Sequence, residues 1–328
     1  MTTSLLIWGL LDDRPGHAHQ VRGLAQALVA SFAAEGMSLP LAYTPIPLAY
    51  TPLSRLPNIL LGHGIRHLTP DARAHLAPPW PDLVIACGRR TEPVARWIKR
   101  QHPAAKLVYL MTPSSLAGWD ALVIPAHDTP PEDPRVLPTL GPIHAITPAL
   151  LASAREAWAE AFARLPHPRV MVALGDARAA EPMLAAAERL AGEGSLLVTT
   201  SRRSPHELRG QLAPRLQRPY YWYDWHEGGE NPYHGMLAHA DALVIGGDSL
   251  SMCTEATATG KPVFIQQAAG LPSKHRALHA ALFARGLARP LEMATSLDWH
   301  PASPLDEAGR IATLLQAQYW GGLQKYPV

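Results

Sequence analysis

With 328 residues, 47% of them hydrophobic and 17% charged, the chain has enough apolar mass for two cores and is not a disordered polymer. Its formal charge of +2 excludes a dedicated nucleic-acid binder, which would concentrate basic residues on one face. Two cysteines, Cys87 and Cys253, are too few for a disulfide scaffold or a thiolate metal cluster. A reducing cytoplasm is the expected location.

The apolar run at residues 4–11 has no preceding Lys or Arg and meets Asp12-Asp13 at once, so it reads as a first buried strand and not as a signal peptide. A helix is expected from Gly16 to about residue 34, then a strand at 39–43. Residues 45–81 are rich in proline, which argues against long regular elements there. Short continuous apolar runs at 83–87, 107–110 and 121–124 predict further strands, with a helix over 92–100 between the first two. Such runs suit a parallel sheet covered on both faces. Residues 130–142 read as a proline-laden connection, and 148–165 as a helix leading into the second half.

Alternation then resumes, with strands beginning near Val170, Leu196, Tyr220, Leu243 and Val263 and helices between them. Pro205 is the expected first residue of one helix, and Gly260 the expected closing residue of another. A last helix, over 305–318, carries apolar residues at near-helical spacing. No stretch approaches the roughly 18 apolar residues a membrane span requires, and sixteen histidines show no metal-binding spacing such as HExxH. The expectation is α/β: two doubly wound Rossmann-like domains facing across a cleft. A first domain would cover 1–150 and a nucleotide-binding domain 151–304, with a C-terminal helix over 305–328 packing back toward the first domain.

The segment ALVIGGDSLSMCTEATATGKPVFIQ at 242–266 carries the most chemistry. An apolar strand ends in Gly246-Gly247, and Asp248, Ser249 and Ser251 follow at a helix start. Free amides and the helix dipole there suit an anion. Glu255, one turn past Ser251 on the same helix face, suits a ribose diol. The bland alternative is that Ser249 merely caps the helix. Ser201-Arg202-Arg203 closes the 196–200 strand, and Gly88-Arg89-Arg90 closes the 83–87 strand. Arginine after a buried strand is placed for bidentate phosphate recognition, with one member of each pair expected to bind and the other to support structure. Asp12, Asp13, Gly16 and His17 occupy the first strand–helix loop, where His17 can act as a general base or hold a phosphate. His19 and Gln20 rank lower. Tyr233, after Asn231-Pro232, and the aromatic run 220–226 read as packing more readily than as a base pocket. Lys261 reads as structural, and Lys274, His275 and Arg276 as weaker phosphate or sugar contacts.

These residues lie in segments that resemble the mitochondrial-fission "elongated mitochondria" family, which has plant and bacterial members. The matching segments are WGLLDDRPGHAHQVRGLAQAL at 8–28, PDLVIACGRRTEPVA at 81–95, VIPAHD at 123–128, TTSRRSP at 199–205, ENPYHGMLAHADALVIGGDSLSMCTEATATGKPVF at 230–264 and GLARP at 286–290. That family is similar in turn to the two-domain GT-B glycosyltransferases, in particular the enzyme that adds N-acetylglucosamine to the lipid-linked peptidoglycan precursor. The likeness implies a metal-independent glycosyltransferase using a nucleotide-diphosphate sugar as substrate, with no cofactor. His17, Asp13 and Asp248 would be its catalytic residues. Gly16, Arg89, Arg90, Ser201, Arg202, Arg203, Gly247, Ser249, Ser251 and Glu255 would bind the ligand. The acceptor would be lipid-linked or part of the cell envelope, with peripheral contact to the inner membrane. Two alternatives stand beside it: a non-enzymatic scaffold or regulator, and a nucleotide-sugar epimerase. One position departs from the family, since Asp176 follows Gly175 where a second glycine is usual.

Overall fold

The computed structural model describes residues 4–34, 41–175 and 179–321. The chain divides into two compact units, one of residues 1–145 with 306–328, the other of residues 146–305.

The first unit begins with β1 (Leu5–Leu11), α1 (Pro15–Ala34) and β2 (Leu41–Pro47). Two short helices follow, α2 (Asn58–Leu61) and α3 (Pro70–Ala74), in the proline-rich stretch. Then come β3 (Leu83–Cys87), α4 (Glu92–Gln101), β4 (Lys106–Leu110), β5 (Ala121–Pro125) and β6 (Val136–Thr139). Among the described residues these strands form one parallel sheet in the order β2-β1-β3-β4-β5-β6. Strand alternation feeds two cores: Ile7, Leu83 and Ile85 enter one, Trp8, Leu10, Val84 and Ala86 the other. Residues 130–142 are therefore not merely a connection. β6 lies at the edge of the sheet, where Pro138 need not donate to a further strand. The same reason lets β2 run through Pro45 and Pro47, beyond the expected end at 43.

The second unit contains α5 (Pro148–Ala157), α6 (Ala159–Phe162), β7 (Arg169–Ala173), α7 (Ala180–Ala191), β8 (Ser195–Thr199), α8 (Leu208–Leu212) and β9 (Tyr220–Tyr223). It continues with α9 (Tyr233–His239), β10 (Ala242–Gly246), α10 (Leu250–Thr257), β11 (Val263–Gln266), α11 (Ser273–Ala284) and β12 (Arg289–Pro290). Its parallel sheet runs β12-β11-β10-β7-β8-β9. β7, β8 and β10 are buried along their whole length, as a sheet covered on both faces demands.

Three expected boundaries move. The helix expected over 148–165 divides at Trp158, whose indole lies so close to α9 that a Cβ on Gly235 would meet it at 2.4 Å. Pro205 does not open a helix. Ser204 Oγ donates to the Gly175 carbonyl at 2.8 Å and holds this turn on the sheet, so α8 starts only at Leu208. α10 ends at Thr257 with Ala258 as its cap, and Gly260, at φ +70°, makes the following turn. The chain then re-enters the first unit as α12 (Glu307–Trp320), whose Ile311 and Leu315 join the core of Val21, Leu24 and Leu28.

Both sheets reverse their strand order once. In the first unit this happens between β1 and β3, in the second between β7 and β10. Ligands of doubly wound sheets bind beyond the carboxyl ends of the strands at such a point.

Candidate functional site

At the first reversal, Asp12 and Asp13 follow β1 while Gly88 and Arg90 follow β3. Asp12 is buried. One of its carboxylate oxygens lies 2.6 Å from His17 Nδ1, and the other accepts from Arg90 Nη2 at 2.7 Å. Arg90 also donates to both oxygens of Asp13, with Nη1 3.0 Å from Oδ2. Its guanidinium stacks 4.1 Å over the Tyr50 ring, which in turn stacks on the buried His67. Burial raises the Asp12 carboxyl, but the His17 hydrogen bond and the Arg90 and His17 charges outweigh it and hold the group below its ordinary value. An ionised Asp12 fixes the proton of His17 on Nδ1 and leaves Nε2 as the basic nitrogen. Gly88 permits this approach. Its φ is +93°, and a Cβ there would lie 2.4 Å from His17 Nδ1.

Arg89 is engaged elsewhere, donating to the carbonyls of Leu56 at 2.6 Å and Ser54 at 2.7 Å. Of this pair, Arg90 belongs to the cluster and Arg89 clamps a loop. Gly16 is exposed, and a side chain there would meet nothing within 4 Å. Packing therefore does not require that glycine.

At the second reversal, Gly175 follows β7 and Gly246-Gly247-Asp248-Ser249 follows β10. A cavity of about 310 Å³ opens there, lined by Met183 of α7, Arg203, the turn 246–248, Gln266, the loop 268–272 and His275 of α11. Its volume falls at the low end of small-molecule sites, about 300–1,000 Å³. The walls are built from close approaches. A Cβ on Gly247 would meet the Gln266 carbonyl oxygen at 2.4 Å and His279 at 2.6 Å, and one on Gly175 would meet the Asp248 carboxylate at 2.1 Å. Arg203 Nη2 donates to Asp248 Oδ2 at 2.8 Å, and His275 Nε2 lies 3.2 Å from the Asp248 carbonyl oxygen. Burial is the main cause holding His275 below its ordinary value, and burial pushes His279 down to about 4. Burial thus favours the neutral form of both imidazoles.

Ser249 caps α10, its Oγ accepting from the Met252 amide at 3.4 Å. The first helical amides, at Leu250 and Ser251, point out of the helix end without an intrahelical partner. Ser251 is half-buried on that first turn. Glu255 is turned inward: it is buried, and Tyr233 Oη donates to its Oε2 at 2.8 Å. Burial pushes its carboxyl above the ordinary value despite that hydrogen bond. Ser201 closes its own loop, accepting from the Arg203 amide at 3.2 Å, while Arg202 is exposed. Lys274 is exposed, and Arg276 donates to the Leu271 carbonyl. Lys261 Nζ donates to the carbonyls of Leu237 and Ala238, at 2.7 and 2.8 Å, in the last turn of α9. Burial pushes its amine down to about 8. Asp176 lies outside the described residues.

The structure adds residues the sequence did not single out. Tyr50 and His67, within the proline-rich stretch, support Arg90; the loop 268–272 lines the second site, and the buried His279 backs its Gly247 turn. The signal that could have found them is the glycines at these turns, Gly88, Gly247 and Gly270. Among the described residues no group of three or more His, Cys, Asp or Glu is placed to hold a metal ion.

The model of the mitochondrial fission ELM1 family matches residues 15–319. A mitochondrial fission protein ELM1 of Arabidopsis thaliana is 32% identical over 299 residues, which cover 80% of this chain and 70% of that protein. The chain belongs to this family. An uncharacterized protein of Rickettsia prowazekii is 26% identical, over 94% of this chain and 97% of its own. In fold, the chain is similar to a putative UDP-N-acetylglucosamine 2-epimerase of Listeria monocytogenes, with a TM-score of 0.54 at 13% identity over 99% of this chain and 100% of the other. The UDP-N-acetylglucosamine 2-epimerase of Neisseria meningitidis, solved with UDP-N-acetylglucosamine bound, gives a TM-score of 0.50 at 10% identity over 98% and 95%. Two parallel α/β units of this kind make up the GT-B-like fold. Among the described residues, no helix is long and apolar enough to cross a membrane.

Proposed function

We propose that this protein binds a nucleoside-diphosphate sugar at the β7/β10 reversal of its second unit and acts as a metal-independent glycosyltransferase. The observation that carries the reading is the cavity walled by the Gly246-Gly247 turn after β10, with Arg203 in its lining and α10 beginning two residues beyond the lining residue Asp248. Backbone donors and a guanidinium hold a diphosphate without a metal ion and stabilise it as it departs from the sugar. His275 and Gln266 are placed for the sugar or ribose hydroxyls. The Asp12–His17 pair of the first unit is a candidate proton acceptor in its own right, and we infer that the sugar acceptor is a lipid-linked or envelope glycan. The fold neighbour that carries UDP-N-acetylglucosamine supports a uridine nucleotide as the first ligand to try.

Calorimetric titration of the whole chain with UDP and UDP-N-acetylglucosamine tests the reading. Binding that Arg203→Ala weakens about tenfold or more is the expected result, since a hydrogen bond to a charged ligand contributes about 1.5–3 kcal/mol. Absence of binding by every nucleoside diphosphate would overturn it. Binding without turnover of any donor favours a second reading, a regulator that retains the fold, which the plant relative named for mitochondrial fission motivates. Interconversion of free sugar nucleotides without transfer would instead make the protein an epimerase.

A further inference from the structure

The cavity at the β7/β10 reversal holds a charge that works against the ligand assigned to it. Among the described residues that line it, the charged ones are Arg203 and Asp248, and they are already paired, with Arg203 Nη2 2.8 Å from Asp248 Oδ2. A diphosphate therefore enters a lining whose formal charges cancel and which contains a carboxylate. Like charges set side by side in a recessed site oppose binding.

The Asp248 carboxylate lies where an anion would. A Cβ on Gly175 would meet its two oxygens at 2.1 and 2.2 Å, and one on Gly246 would meet Oδ1 at 2.8 Å. The group is thus packed between the turns that follow β7 and β10, at the reversal point itself. It also stands two residues before α10, at the end of the helix dipole that favours negative charge. That charge is felt along the helix: burial first, and then Asp248, push the Cys253 thiol above its ordinary value. Only 22% of the Asp248 side chain is exposed, against 51% for Arg203.

Two contacts restrain the main chain here. His275 of α11 places Nε2 3.2 Å from the Asp248 carbonyl oxygen, and Arg203 Nη2 approaches the same oxygen at 3.5 Å. The carboxylate accordingly leaves its seat by rotation of its own side chain. Beyond β1 and β3 two carboxylates hold Arg90, but here one acid holds one half-exposed guanidinium. An exposed pair of this kind is weak enough for a ligand to part.

We propose that Asp248 is a specificity-determining residue, an internal anion that keeps the seat of the ligand's diphosphate and excludes inorganic phosphate and pyrophosphate. The proposal rests on the nucleotide-sugar reading above and says how that ligand is selected. An anion that offers only phosphoryl oxygens takes Arg203 and leaves a carboxylate unpaired beside it, which is unfavourable. A nucleotide sugar offsets that loss. Its ribose and sugar hydroxyls donate to the displaced carboxylate and to Gln266, and inorganic phosphates bring no such carbon-bound hydroxyls.

Calorimetric titration of the full chain with UDP-N-acetylglucosamine, UDP and inorganic pyrophosphate is the test, in the wild type and in Asp248→Asn. The variant should bind pyrophosphate about tenfold or more tighter than the wild type does. Its affinity for UDP-N-acetylglucosamine should change less, because the lost carboxylate no longer serves the hydroxyls. Asp248→Ser is a second variant without the charge, and thermal unfolding without ligand shows that each is folded. Pyrophosphate binding that is unchanged or weaker in both folded variants would overturn the proposal, and would leave the nucleotide-sugar reading in place where the wild type binds UDP. A wild type that binds pyrophosphate as tightly as UDP-N-acetylglucosamine would overturn it with no variant at all. Pyrophosphate bound by the variants while no nucleoside diphosphate binds the wild type has the opposite meaning: Asp248 excludes anions, and the reading of function fails.

Discussion

The two strand-order reversals of this protein use the same topology to build opposite kinds of place. Beyond β1 and β3 the charges are matched internally, with two carboxylates, one guanidinium and one imidazole in mutual contact. An incoming phosphate would have to compete with Asp12 and Asp13 for Arg90. Beyond β7 and β10 the walls are glycine backbone, small side chains and a neutral imidazole around open volume, with Arg203 and Asp248 as an ion pair at the edge. One is a fixed polar network suited to orienting a proton acceptor; the other is a cradle suited to receiving a ligand. Position on the fold therefore identifies both places, and only the side chains separate their roles.

Breaking the network gives the largest expected effect of a single substitution. Asp12→Ala should destabilise the first unit by about 3 kcal/mol, because it strands a buried-side guanidinium contact and the His17 partner at once. Denaturant unfolding measures it, and a loss within the ordinary surface range of about 0.5 kcal/mol would show that the network is decorative.

Acidification tests both units together. Burial pushes His144, in the first unit, and His279, in the second, down to about 4. The unfolded chain binds these protons near pH 6.5. Between those values the unfolded state holds more protons, so stability present above pH 6.5 is lost as pH falls toward 4. Each histidine should contribute a loss on the order of 3 kcal/mol. Chemical denaturation at stepped pH follows it, and replacing both by Leu should flatten the profile. An unchanged slope would mean that other groups drive acid unfolding.

Much of this organisation was legible in the sequence. Continuous apolar runs such as 83–87 and 242–246, each closed by glycine, gave the central strands, because a strand buried on both faces has no room for polar residues. Edge strands were harder. β6 contains Pro138, and its pairing depends on a neighbour rather than on its own residues. Side-chain partners were harder still. Nothing local distinguishes Arg89 from Arg90, since their roles are set by Ser54 and Leu56 in one case and by Asp12 and Asp13, 78 and 77 positions away, in the other. Glu255 shares a helix face with Ser251 as spacing requires, yet Tyr233 draws its carboxylate inward.

A smaller effect separates capping from ligand binding at Ser249. Ser249→Ala should cost about 1 kcal/mol through loss of the α10 cap, read from thermal or denaturant unfolding without ligand. If the variant keeps its stability but loses affinity for UDP, the hydroxyl serves the ligand and not the helix.

Backbone amide hydrogen exchange with and without saturating UDP tests the central contrast most directly. Exchange should slow at residues 246–252 and 267–272 on ligand addition, while residues 12–17 and 88–91 keep the rates they have without it. Protection confined to the Asp12–His17–Arg90 network, with none after β10, would contradict the assignment of the ligand cradle to the second unit.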